Sequence, residues 1–501
     1  MLKKCIIPVL LLLFLTLLLI SPSPVYSSTI PRQVILLDFS GLELSQITSD
    51  YPNLIKLVST STVTLVTVPN SQRDSGPNIL DLIPLKKSIY ALNPTAIMTL
   101  DQFMPFSKKI NLSPKYPLEF KNPTNSNSIR NPYPLESFQN KITVFRWPEN
   151  HNPLLSDGKK ILRYYEDLTG YMFANFNSNN TLLMVCAYCP QQKPAIQNKN
   201  LFAVILRGQN FTNGTLYSQS TRKPGIITYT DLRKIIFNPN NKTGTSEKIK
   251  TIPGKWRTIA AEQPELIKNY SVRWPLLTVL GYLMIGLVPL LILGLIRHFP
   301  IPIITLLIWS YLYLLTIPGT FLIEAAISPT AWLPIIAYTL AIGGGIFIIS
   351  YILSGNNITK TLMWLAFLTL GLIIINILRN GYYESRSFLG YSILAGGRYY
   401  GAGNEYMGIL LGAYIVGVTL SLPHIKKWRQ EILWCTTFFL SLILFYPLFG
   451  SDVGGGITAL MGLGITNYLW LNQPIHFKNI ARLCLLTLFV FIGMAFLDRY
   501  V

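Results

Sequence analysis

Histidine is the scarcest residue of this chain, with four among 501 positions, and only His151 precedes the long apolar runs. Neutral imidazole is a favoured ligand of catalytic transition-metal centres, so a multi-histidine site has little to draw on. Acidic residues are also few: 22 stand against 42 lysines and arginines, a formal charge of +20. The basic residues are dispersed, and no cluster of them interleaves with aromatics on a recognisable binding module, which excludes nucleic acid as a partner. The excess suits an anionic membrane or envelope polymer instead. The five cysteines do not make a disulfide framework. Cys5, Cys435 and Cys484 lie in apolar runs, and the single Cys186-Ala187-Tyr188-Cys189 motif lacks the second pair that a zinc ribbon needs. In an exported segment this pair reads as a local disulfide or two inert thiols, ahead of a metal or redox site.

What the chain has is apolar residue, 50% of the total against 13% charged, the balance of a membrane protein. Residues 1–27 read as a secretory signal or a retained anchor, with Lys3 and Lys4 before the apolar run Cys5 to Ile20 and small residues around Ser27. Residues 28–237 alternate buried-strand signals, such as Val34 to Leu37 and Leu182 to Val185, with helix-like stretches such as Gly158 to Thr169, an α/β pattern. Residues 238–272, with Asn240-Asn241 and Pro253-Gly254, read as an exposed connection. The rest, 273–501, is a membrane domain of about eight helices near 274–296, 301–323, 331–353, 361–378, 404–422, 431–449, 453–471 and 480–497.

Charge sets the expected orientation. With 28–272 outside the cytoplasm, the inner connections carry Arg297, Lys360, Lys426, Lys427, Arg429, Lys478 and Arg482, whereas the outer connections 324–330 and 450–452 have no Lys or Arg. One outer connection, 379–403, breaks this bias with Arg379, Arg386 and Arg398 beside Glu384, either for pairing with Glu384, Glu405 or Asp452 or for a ligand.

Two glycine-rich stretches fall on that same face: Gly396 to Tyr406, and Gly450 to Thr458. Each opens an apolar helix with a capping residue, Asn404 or Asp452, and helix N-termini with close backbone access attract anions. The bland reading is helix packing and capping, with Arg398 neutralising a carboxylate. The sharp reading joins Arg398, Asn404, Glu405, Asp452, Gly454 and Gly455 in one substrate-binding pocket for an anionic lipid or glycan-phosphate headgroup, with Glu405 or Asp452 as candidate catalytic base or holder of a divalent metal. Glu324 and Asn376 are further polar groups at bilayer depth, suited to interhelical hydrogen bonds or to the same site. Gly343-Gly344-Gly345 reads as close helix packing.

The strings Leu201 to Gly208 and Ser220-Thr221-Arg222-Lys223-Pro224-Gly225-Ile226-Ile227-Thr228-Tyr229-Thr230-Asp231-Leu232 resemble the closing motif of alkaline-phosphatase-like ectodomains in a group of bacterial multi-pass membrane proteins. Ser387 to Ser392, Gly397 to Gly408 and Gly450 to Gly455 resemble that group's membrane signatures, of the type Arg-Tyr-Tyr-Gly-x-Gly-Asn-Glu-Tyr-Met-Gly. The resemblance implies a cell-envelope protein of the bacterial cytoplasmic membrane. It also implies that Asp38, at the end of the first strand, and Asp231 stand where active members place metal-binding or neighbouring groups, although helix capping explains either aspartate equally simply. Active members use several histidines and a Ser or Thr nucleophile. Here His151 stands alone in the domain, and Ser71 and Ser75 have no motif around them. The expected fold is therefore a degenerate alkaline-phosphatase-like α/β domain followed by an all-α polytopic membrane domain. Its expected partners are membrane lipids and an envelope glycan or lipid-linked precursor. A metal-dependent phosphohydrolase or headgroup transferase and a structural scaffold are the alternatives.

Overall fold

The computed structural model describes residues 33–39, 42, 44–67, 141–145, 158–175, 181–187, 201–208, 211, 213–237, 249–329, 331–425 and 428–498. Runs of Val, Ile and Leu near the N-terminus form β1 (Gln33–Asp38), β2 (Thr62–Thr67), β3 (Lys141–Phe145), β4 (Thr181–Ala187) and β5 (Leu201–Arg207), followed by β6 (Thr215–Ser218), β7 (Ile226–Thr228) and β8 (Ile249–Ile252). Six of them make a mixed sheet in the order β3-β1-β4-β5-β2-β7, and β6 pairs with β8. Only β5 runs against its neighbours in that sheet, so β1, β2, β3, β4 and β7 end at one edge.

Such continuous apolar strands need cover on both faces. Alternate side chains divide accordingly. Leu37, Leu65, Val185 and Ile205 pack with α1 (Pro52–Thr60) and α2 (Gly158–Asn175), whereas Leu36, Met184, Val204 and Ile227 pack with α3 (Tyr229–Phe237). The helix α1 begins with Pro52, and its free first-turn N–H groups find a distant acceptor: Asn53 N and Leu54 N donate to the two carboxylate oxygens of Glu166 in α2, at 2.7 and 2.8 Å.

The stretch read as a connection contains β8 and the opening turns of α4 (Trp256–Ile296). Ile259, Ala260 and Leu266 of α4 join the core on the α1 side of the sheet, and Gly225 lies against Ile259 with no room for a Cβ. Farther on, α4 leaves Trp274, Tyr282 and Ile285 exposed, the arrangement of a helix facing lipid. The remaining helices are α5 (Ile301–Leu314), α6 (Ile317–Ile327), α7 (Trp332–Ser354), α8 (Ile358–Leu378), α9 (Asn404–Ser421), α10 (Arg429–Phe445), α11 (Val453–Thr458), α12 (Gly464–Trp470) and α13 (Phe477–Asp498).

Each expected apolar run after Trp274 is mostly helical, yet among the described residues five helices are long and apolar enough to cross a membrane, or six with α5 and α6 taken as one span bent by 42°. The shortfall from eight has two local causes. Helix α10 has 17 residues, and the run from Val453 to Trp470 is interrupted by a π-helical turn at Ala459–Leu463. Helices of this number and composition are those of a multi-pass membrane protein.

Replacing Glu166 with Ala strands two N–H groups in a buried place. A thermal melt of the purified protein is expected to show a destabilised variant, by about 1–3 kcal/mol.

Candidate functional site

Loop 379–403, between α8 and α9, is built around Glu384, a fully buried carboxylate. Gly403 N donates to its Oε1 at 2.6 Å, and Asn376 Nδ2, near the end of α8, donates to its Oε2 at 3.0 Å. Glu384 N in turn donates to Asn376 Oδ1 at 3.0 Å. Loss of water pushes the Glu384 carboxyl up to about 8, against the Gly403 and Asn376 hydrogen bonds and the charge of Arg398, which hold it down. From the sequence, Glu384 stands out only as a partner for an arginine. The signals that bear on it were Asn376 inside an apolar helix and an acid in a loop that breaks the charge bias.

The two glycine-rich stretches meet through their backbones. Ala402 N donates to Gly450 O at 2.7 Å, and Gly401, at φ +79°, would drive a Cβ into that carbonyl. Glycine is required there for both conformation and proximity. The contact brings Arg398 Nη2 to 3.9 Å from Asp452 Oδ1, while Arg398 Nη1 donates to Ala402 O. Asp452 caps α11, with Oδ1 accepting from Gly455 N at 2.9 Å. Its Oδ2 is buried and has no hydrogen-bond partner among the described residues.

The other expected members are arranged differently. The cap of α9 is Gly403, not Asn404, which is the exposed first residue of the helix. Glu405 is about half exposed and pairs with Arg273 of α4 at 3.5 Å rather than with Arg398. Gly455 is buried against Asp452, whereas Gly454 is exposed. Of the other loop arginines, Arg386 pairs with Glu262 at 2.6 Å and Glu265 at 3.4 Å, and Arg379 donates to Tyr383.

The carboxyl edge of the sheet faces this loop. Thr67 Oγ1, at the end of β2, and Tyr399 OH share a buried hydrogen bond of 2.8 Å. From the turn at 219–225, Lys223 Nζ donates to Ser385 Oγ, and Arg222 donates to Pro447 O and stacks on Tyr400, its guanidinium carbon 4.3 Å from the ring centre. Enclosure of the Lys223 ammonium lowers its pKa to about 7, with Arg386 adding to the effect and Glu262 and Glu384 opposing it.

Asp231 closes a capping box with Thr228. Asp231 Oδ2 accepts from Thr228 N at 3.1 Å and from Ser220 Oγ, and Asp231 N donates to Thr228 Oγ1 at 3.1 Å. Asp38 is the last residue of β1, opposite Cys186 of β4. The Asp38 side chain, His151, Ser71, Ser75 and Cys189 lie outside the described residues. Among the described residues no group of three or more His, Cys, Asp and Glu side chains gathers to hold a metal. A cavity of about 520 Å³ between α4, α5 and α7 has mainly apolar walls, including Leu283, Leu287, Trp309 and Phe347, and shares no residue with this loop.

The raised Glu384 carboxyl has a signed consequence. Between 4.5 and about 8 the folded chain keeps a proton that the unfolded chain releases, so stability falls as pH rises through that window. Melting curves across it are expected to slope downward for the wild type and to be flatter for Glu384→Gln.

Compared with known proteins, the chain matches no protein family, no curated protein and no solved structure, which leaves the geometry of loop 379–403 to carry the functional reading.

Proposed function

We propose that this chain is a bacterial cell-envelope membrane protein whose α/β domain lies outside the cytoplasm with a degenerate alkaline-phosphatase-like fold. In this reading, loop 379–403 and the Gly450–Gly455 stretch bind the anionic headgroup of a lipid-linked or glycan-linked substrate at the outer face, for transfer or transport. The observation that carries the reading is the approach of Arg398 to Asp452. The Arg398 side chain is 28% exposed and that of Asp452 only 6%, so the arginine reaches solvent more than the carboxylate it approaches. A planar guanidinium fork matches phosphate or carboxylate oxygens, and a carboxylate at 3.9 Å orients it.

Two further observations support the reading. Ligands of open α/β sheets bind outside the carboxyl ends of the strands, and that edge is where Thr67 meets Tyr399 of the loop. The basic connections, from Arg297 to Arg482, alternate with 324–330 and 450–452, which lack Lys and Arg, and this parity puts loop 379–403 on the outer side despite its own three arginines. Arg398 then clamps the headgroup. Asp452 holds Arg398 and is the candidate base, and Glu405, paired with Arg273 at a half-exposed position, is free to exchange partners with an arriving ligand. The metal-dependent phosphohydrolase is the weaker reading, because one oxygen of Asp231 is committed to the capping box.

Envelope lipid and glycan profiles of strains carrying Arg398→Ala or Asp452→Asn provide the test. Asn keeps the N-cap acceptor, so Asp452→Asn removes charge without removing the cap. Both strains are expected to match the deletion strain. Wild-type profiles in strains that contain normal amounts of either variant overturn the proposal.

A further inference from the structure

The cavity between α4, α5 and α7 uses none of the residues of the headgroup site. Its volume of about 520 Å³ lies within the ~300–1,000 Å³ typical of ligand sites. No Lys, Arg, Asp or Glu lines it, and Leu283, Leu287, Leu314 and Phe347 make much of its wall, with hydroxyl groups only from Ser310 and Tyr313. Walls of this kind leave a charged occupant without partners, and so select a hydrocarbon one.

The aromatic part of the wall is held in place. Trp309 meets the Phe347 and Tyr351 rings edge-on, with centroids 5.5 and 5.3 Å apart. Tyr313 OH donates toward the carbonyls of Thr339 and Leu340, at 3.3 and 3.4 Å. A groove ordered before its occupant arrives lowers the cost of binding. Leu283 is about half exposed, as are Tyr282 and Ile285 beside it, so the groove opens on the surface of α4 that faces lipid.

Helix α4 joins this groove to the headgroup site. Arg273 pairs with Glu405 at 3.5 Å and Arg398 donates to Ala402 O, so both arginines engage the segment 402–405 that opens α9. Arg273, Leu276, Leu280, Met284 and Leu287 follow at steps of three or four and lie along one face of α4. The four apolar members of that face pack against a cluster that contains Leu314 of the groove and Phe388 of loop 379–403. Leu283 and Leu287 stand ten and fourteen positions after Arg273, about 15 and 21 Å along the helix. The chains of one leaflet fill about half of a hydrocarbon core roughly 30 Å thick. A lipid whose headgroup lies beside Arg398 and Arg273 therefore brings its chain end to the groove.

Given a headgroup at Arg398, as proposed above, we infer that the groove between α4, α5 and α7 holds a hydrocarbon chain of that same ligand. The substrate class is then an anionic lipid recognised at both ends, by Arg398 at the headgroup and by the wall of Leu283, Leu287, Trp309 and Phe347 at the chain. A water-soluble glycan phosphate lacks the second anchor.

The test is photolabelling of the purified full-length protein in phosphatidylcholine nanodiscs. Two probes carry a diazirine at the end of one acyl chain, a phosphatidylglycerol and a phosphatidylcholine, and labelled peptides are mapped by mass spectrometry. The anionic probe is expected to label residues 309–314 about tenfold more strongly than the exposed face of α13 around Leu485 and Phe489. Leu283→Trp and Ser310→Phe add bulk to the groove wall, and each is expected to abolish that excess. Arg398→Ala is expected to reduce labelling by the anionic probe to that of the choline probe. Groove labelling no stronger than that of α13, or unchanged in either folded wall variant, overturns the assignment. Equal groove labelling by the two probes, unaffected by Arg398→Ala, keeps the groove as a chain site and overturns the headgroup reading instead.

Discussion

The structure of the membrane half at the α/β domain depends on one buried carboxylate. Removing Glu384 from water costs several kcal/mol if it is charged. The hydrogen bonds from Gly403 and Asn376 offset part of that cost, and they tie the end of α8 to the start of α9. With its two ends tied, loop 379–403 is held as a shaped element. It can then present Arg398 toward Asp452 on one side and Tyr399 toward the sheet on the other.

The same loop makes the two halves of the chain one packed unit. Ile393, Leu394 and Tyr399 share a core with the sheet, α1 and α2, and the opening turns of α4 enter it as well. The turn at 219–225 reaches toward both glycine-rich regions, because Lys223 bonds Ser385 and Arg222 bonds Pro447. A displacement of that turn therefore acts on both walls around Arg398 and Asp452. This is a direct physical connection between the α/β domain and the glycine-rich stretches of the helical half, made of hydrogen bonds and a packed ring.

Charge is managed differently at the two polar places in the helical half. Near the domain, cations and anions are paired: Arg386 with Glu262 and Glu265, Arg273 with Glu405, and Arg398 with Asp452. At the α5–α6 break Glu324 has the Thr339 hydroxyl and no basic partner among the described residues. The first arrangement balances charge by pairing, whereas the second satisfies one carboxylate oxygen with a neutral hydroxyl.

By itself the sequence determined what depends on local pattern. Strands around Val34 to Leu37 and Leu182 to Val185, a helix from Gly158 to Thr169 and the apolar helices after Trp274 were legible, because hydropathy and period are read along the chain. Only the tertiary structure decided which polar groups meet. Asn53 and Leu54 find Glu166 more than a hundred positions away, Lys223 finds Ser385 across 162, and Glu384 takes Gly403 rather than an arginine. The π turn after α11 and the cap at Gly403 instead of Asn404 also depend on how neighbouring segments pack. The physical reason is that water can satisfy a polar group anywhere in an unfolded chain. Its partner is fixed only when folding removes the water and leaves one geometry that satisfies it.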